Sequence, residues 1–123
     1  MSFPASYYET RFTLEGPPDP LPACFAIITA HNPMDRGWSP RMNAAADHRL
    51  RRLLERRLLP HFRATGHAPD DSHAEPGWSI ATAPDTELAI ARRLHQLAIW
   101  RIEDDKLHLI ASTGQPREGM NAF

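Results

Sequence analysis

Apolar positions change period from one segment of the chain to the next, and each period names an element. Tyr8, Thr10 and Phe12 recur at every second residue within Tyr7 to Leu14, the spacing of a strand with one wet face. Four prolines between Glu15 and Pro22 cannot continue a ladder and read as a stiff connector. Phe25 to Ala30 is apolar almost without interruption, as in a central strand covered on both faces. The loop His31 to Trp38 leads into Ser39-Pro40, a helix start: serine caps, and proline lacks only an N–H that would be unsatisfied anyway. Met42, Ala46, Leu50, Leu53 and Leu54 then share one helical face, with Ala45, His48, Arg52, Glu55 and Arg56 on the other, until Pro60 ends the helix.

The second half repeats the theme. His61 to Thr65 and Trp78 to Thr82 read as strands on either side of the polar stretch Gly66 to Pro76. Thr82-Ala83-Pro84-Asp85 opens a second helix, with Thr82 as its cap and Asp85 reaching back, and Leu88, Ala91 and Leu94 form its apolar stripe up to Gln96. Ala98 to Ile102 and Leu107 to Ile110 make a hairpin, and Ser112 to Phe123 reads as a polar, flexible tail. From Phe25 to Ile102 the order is β-α-β-β-α-β. That predicts an α+β, two-layer sandwich with a ferredoxin-like core, an extra N-terminal strand and a C-terminal hairpin strand, both helices on one face.

Composition narrows the class. Hydrophobic residues make up 41% and charged residues 24% of the 123, which predicts a single folded domain over 1–123 with an ordered core of about 7–111 and a tail at 112–123. A formal net charge of −1 excludes a globally cationic nucleic-acid binder. The longest apolar run, Ala23 to Ala30, is eight residues and too short to cross a bilayer. Cys24 is the only cysteine, so no intrachain disulfide can form, and its apolar neighbours predict a buried, inert thiol. Met1 to Tyr8 has neither the basic nor the apolar region of a secretory signal, which predicts a cytoplasmic protein. Thirteen arginines against one lysine point to a GC-rich bacterial genome.

Phe25-Ala26-Ile27-Ile28-Thr29-Ala30-His31-Asn32-Pro33, the spaced Ser39 and Asn43, the Leu50/Leu53/Leu54 stretch, Glu75-Pro76 and Gln96-Leu97-Ala98-Ile99 together resemble a small bacterial family known as domain of unknown function 3293. The resemblance spans roughly Tyr8 to Ile110. This chain departs from the family pattern at His31, where an aromatic is common, and at Leu94-His95, where Phe-Gly is common. The resemblance implies a fold and no activity.

Asn43 stands on the core side of the first helix, about 20° from Leu50 on the helical wheel, where an amide needs partners. One reading makes it a pin for the preceding loop; the other turns it toward a pocket at the helix N-terminus, flanked by Arg36 and Arg41, where free N–H groups attract anions. Glu75 before a strand and Gln96 after the second helix can converge there. The leading expectation is therefore a small-molecule or anion site at the strand–loop–helix junction 31–43, built from Asn32, Ser39, Asn43, Glu75 and Gln96. An alternative is an enzyme using His31 and Glu75 as an acid–base pair. A second alternative is a protein- or nucleic-acid-interaction module using the arginine-rich first helix, where Arg49, Arg51, Arg52 and Arg56 spread over the flanks and outer side; the lack of an RNA-recognition aromatic signature favours a solvated helix face instead. The stretch His67 to Glu75 holds metal-ligand residue types in no established spacing and reads as a surface loop, so no metal and no cofactor is expected. An exposed Trp38 or Tyr7 would favour a protein interface, a homodimer included.

Overall fold

Cys24–Ile28 (β2) is the axis of the sheet: Ile27 pairs with Ser79 on one side and with Trp100 on the other, both antiparallel. The computed structural model describes residues 5–32, 36–115 and 117–123. In chain order the other elements are α1 (Ala5–Tyr8), β1 (Arg11–Glu15), α2 (Pro40–Arg56), β3 (His61–His67), β4 (Ala74–Ile80), α3 (Pro84–Arg93), β5 (Ala98–Glu103), β6 (Lys106–Ala111) and β7 (Arg117–Ala122). The strands form one sheet in the order β1-β3-β4-β2-β5-β6-β7, and every neighbouring pair is antiparallel. The class is α+β.

Alternation along each strand gives the sheet two apolar faces. On one, α2 and α3 pack Ala46, Leu50, Leu54, Ile90 and Ala91 against Ala26, Ile28, Ile80 and Ile99. Leu50 and Leu54 are fully buried, each contributing roughly 1.5–3 kcal/mol by leaving water. The other face carries Phe25, Ile27, Ala64, Trp100, Ile102 and Leu109, where Tyr7, Phe12, Leu14 and Phe62 pack in place of α2 and α3.

The sheet closes this second face by curling. In a flat sheet β1 and β5, four steps apart, would be separated by about 19 Å. The rings of Phe12 and Trp100 nonetheless lie 5.4 Å apart, and Phe123 rests 6.2 Å from Phe12 and 5.7 Å from Phe25. Gly77 sits where strands crowd, since a Cβ there would come 2.9 Å from the Ile28 carbonyl and 3.2 Å from that of Ala64.

Several expectations need correction. Among the described residues there are seven strands where the sequence pattern predicts six. Tyr7 and Tyr8 belong to α1, and β1 begins only at Arg11; the helical turn sets Tyr7 on Trp100, ring centroids 5.4 Å apart. Cys24, at the first position of β2, is exposed. Helix α3 has Ala83 as N-cap with no side-chain cap, and it is Glu87, not Asp85, that reaches back to accept the Thr82 N–H at 3.4 Å. The segment read as a tail carries β7, laddered to β6 and tied by the Arg117–Glu103 ion pair. Polar composition does not separate an edge strand from a tail.

Arg51 of α2 lies apart from the helix's other exposed arginines and faces Glu55 at 4.0 Å. At 100° per residue Arg41, Arg49, Arg52 and Arg56 fall within a sector of about 80°. All four are exposed, and none forms an ion pair among the described residues. Trp38 and Tyr7 are half-buried, each packed on one of the two cores. No helix among the described residues is long and apolar enough to cross a membrane.

Candidate functional site

Where β2 leaves the sheet, its backbone turns at Asn32, which adopts a positive φ of 48°, a conformation that asparagine tolerates better than most residues. Asn43 fixes that turn. Its Oδ1 accepts the Asn32 N–H at 2.8 Å, and its Nδ2 donates to Asn32 Oδ1 at 3.0 Å and to the Trp38 carbonyl at 3.4 Å. Asn32 Oδ1 also takes the Trp38 N–H at 3.0 Å, so the two amides staple both ends of the loop. Ser39 caps α2, its Oγ accepting the Met42 N–H at 3.2 Å. Thr29 bridges to β4 by donating to the Pro76 carbonyl at 2.9 Å.

Beside this staple lies a cavity of about 280 Å³ on the curled face of the sheet. Its floor is apolar, from Phe12, Ile27, Ala98 and Trp100, with Tyr7 at the side. Its polar wall brings together Asn32, Glu75 and Gln96, with His67, His73 and Arg36 around them. Asn32 Nδ2 donates to Glu75 Oε2 at 3.4 Å, and His73 Nε2 stands 3.4 Å from the same oxygen. Gln96 Nε2 donates to the His31 carbonyl at 3.0 Å, so the end of α3 is tied to the end of β2.

Three of the five expected ligand-binding residues, Asn32, Glu75 and Gln96, therefore face one cavity. Ser39 and Asn43 stand outside its lining, because the cap engages one and the loop staple the other. His31 also lies outside it. Burial pushes its imidazole below the ordinary value, and the Glu75 carboxylate counteracts that. The imidazole in contact with Glu75 is that of His73, two residues earlier and just before β4 begins. Sequence reading places His73 only in the His67–Glu75 stretch; its i, i+2 relation to Glu75 is the signal that could have found it. Among the described residues, no three His, Cys, Asp or Glu side chains gather as ligands of one metal ion.

A second polar cluster lies on the helix side. Glu87 of α3, fully buried, pairs with the buried Arg101 of β5. Burial pushes the Glu87 carboxyl up from its ordinary value, and the Arg101 guanidinium pulls it back. Arg63 forms a two-pronged contact with Asp47 of α2, at 2.8 and 2.9 Å, while its guanidinium lies 3.8 Å over the Trp78 ring. Both pairs anchor helices to the sheet.

Among curated proteins and among solved structures, nothing matches this chain. The family described as Protein of unknown function (DUF3293) matches residues 28–99, more than half of the chain and the span that holds Asn32, Asn43, Glu75 and Gln96, and the chain belongs to that family.

Proposed function

We propose that the protein binds a small organic molecule in the cavity on the curled face of its sheet. The observation that carries this reading is the division of one cavity into an apolar floor, Phe12, Ile27 and Trp100, and a polar wall, Asn32, Glu75 and Gln96. Such concave sites, mostly apolar with a few convergent polar groups, are the usual form of ligand pockets, and about 280 Å³ is at their small end. The N-terminus of α2 is less suited to anions than its sequence promises, since Ser39 already satisfies the Met42 N–H. The enzyme alternative shifts its imidazole from His31 to His73, which has the contact with Glu75. The ferredoxin-like reading of the core is supported by the order β3-β4-β2-β5 and by both long helices lying on one face.

The test is ligand-observed NMR with a library of small organic fragments, on the native protein and on Ala68→Trp, which adds bulk to the cavity lining. Fragments that bind the native protein and lose their signal with the variant are the expected result. Binding by none, or binding insensitive to the variant, overturns the reading.

A further inference from the structure

Within that cavity, we infer that the ligand is a small zwitterion, with an ammonium group held at Glu75, a carboxylate held at Arg36 and an apolar body on Trp100 and Phe12. The inference rests on the cavity reading above and concerns its charge pattern. Apart from the imidazoles and the Tyr7 phenol, Glu75 and Arg36 are the two ionisable groups in the lining among the described residues. They do not pair with each other, and neither has a lysine, arginine, aspartate or glutamate partner among the described residues. The Glu75 side chain is only 25% exposed, so its charge is partly removed from water. A carboxylate in that position is stabilised by a cation, and its contacts, Asn32 Nδ2 and His73 Nε2, are both long at 3.4 Å.

Hydrogen-bond polarity points the same way. One N–H of the Gln96 amide is committed to the His31 carbonyl, and its Oε1 accepts from no described residue. Glu75 and Gln96 thus make one side of the cavity rich in acceptors, the requirement of an ammonium group. Arg36, exposed on the loop, supplies a donor fork suited to a carboxylate. A dipolar molecule satisfies both sides, whereas a simple anion meets Glu75 and a simple cation meets Arg36.

The experiment titrates three compounds that share a phenyl ring and differ in charge: L-phenylalanine, phenethylamine and 3-phenylpropionate. L-Phenylalanine is expected to bind at least about tenfold more tightly than either of the others, roughly what one charge-assisted contact contributes. Glu75→Gln is expected to weaken L-phenylalanine and phenethylamine while sparing 3-phenylpropionate, and Arg36→Gln to do the converse. The spared compound in each case reports that the variant is folded. Equal affinity of the three, or losses that ignore the charge removed, overturns the inference and leaves the cavity reading standing. Absence of binding by all three overturns the inference as well, and the fragment screen then decides the cavity reading separately.

Discussion

The ring of Phe12 meets the ring of Trp100 nearly edge-on, 5.4 Å between centroids, although three strands separate β1 from β5 in the sheet. The contact measures how far the sheet curls, and it joins the two ends of the cavity floor. A double-mutant cycle with Phe12→Leu and Trp100→Leu is expected to give a coupling of about 0.5–1.5 kcal/mol, the worth of an aromatic pair beyond its buried area. Urea denaturation of the four proteins measures it. Coupling near zero would mean that the rings are not in contact in solution.

Asn43 has both ends of its amide engaged and is only 7% exposed. Asn43→Ala is expected to cost about 1–3 kcal/mol, since it strands the Asn32 N–H. Asn43→Asp keeps that acceptor but turns the donor to Asn32 Oδ1 into a repulsive oxygen, so it should rescue only in part. Equilibrium unfolding compares the two with Glu75→Gln, which engages no backbone group and is expected to change stability by less than about 0.5 kcal/mol.

Glu87 and Arg101 make stability depend on pH in a defined direction. A carboxyl raised by burial means that the folded state holds its proton more firmly than the unfolded state. That contribution is present below the unfolded value and is lost as pH rises through the folded one. Arg101→Met removes the cation that offsets it, so the variant should lose about 3–5 kcal/mol near neutral pH. Part of the loss should return as the pH falls toward the ordinary carboxylate range. Replacing both residues by apolar ones should cost less than replacing Arg101 alone. Denaturation curves from acid to neutral pH decide the matter, and a deficit that does not vary with pH counts against it.

Arg41, Arg49, Arg52 and Arg56 share one exposed face of α2 without acidic neighbours in that sector. Arg49→Glu places a negative charge three residues before Arg52, with no acidic residue three or four positions away, and removes like-charge repulsion. It is expected to stabilise by a few tenths of a kcal/mol, roughly 0.2–0.5, with the gain shrinking as salt is added. Thermal melts at low and high ionic strength measure both effects.

What could be read in the sequence follows from how local the signal is. The run Phe25 to Ala30 announces a central strand because burial on both faces leaves no polar alternation, and the helical wheel alone turns Asn43 toward the core. Ser39-Pro40 marks the start of α2 correctly, since capping is a matter of four consecutive residues. The cavity floor is different in kind. Ile27 and Trp100 are cross-strand neighbours, but Phe12 reaches Trp100 only because the sheet curls, and no local pattern records curvature. His73 and His31 are equally plausible neighbours of Glu75 by composition; the turn just before β4 brings His73 into contact. Glu87 resembles a surface glutamate in the first turn of a helix until its Arg101 partner, fourteen residues on, is placed beneath it.

The central position of β2 has a consequence in time. Both of its neighbours come much later in the chain: Ile28 pairs with Trp78, and Cys24 with Glu103. Such pairings close long loops before any ladder rewards them, which slows folding. Trp100, in the cavity floor, lies on the later of the two partner strands, so the cavity comes into being only once the sheet has been assembled across most of the chain. An occupant of that cavity therefore acts on the finished protein. It slows the rate at which the fold opens and leaves the rate at which it forms unchanged.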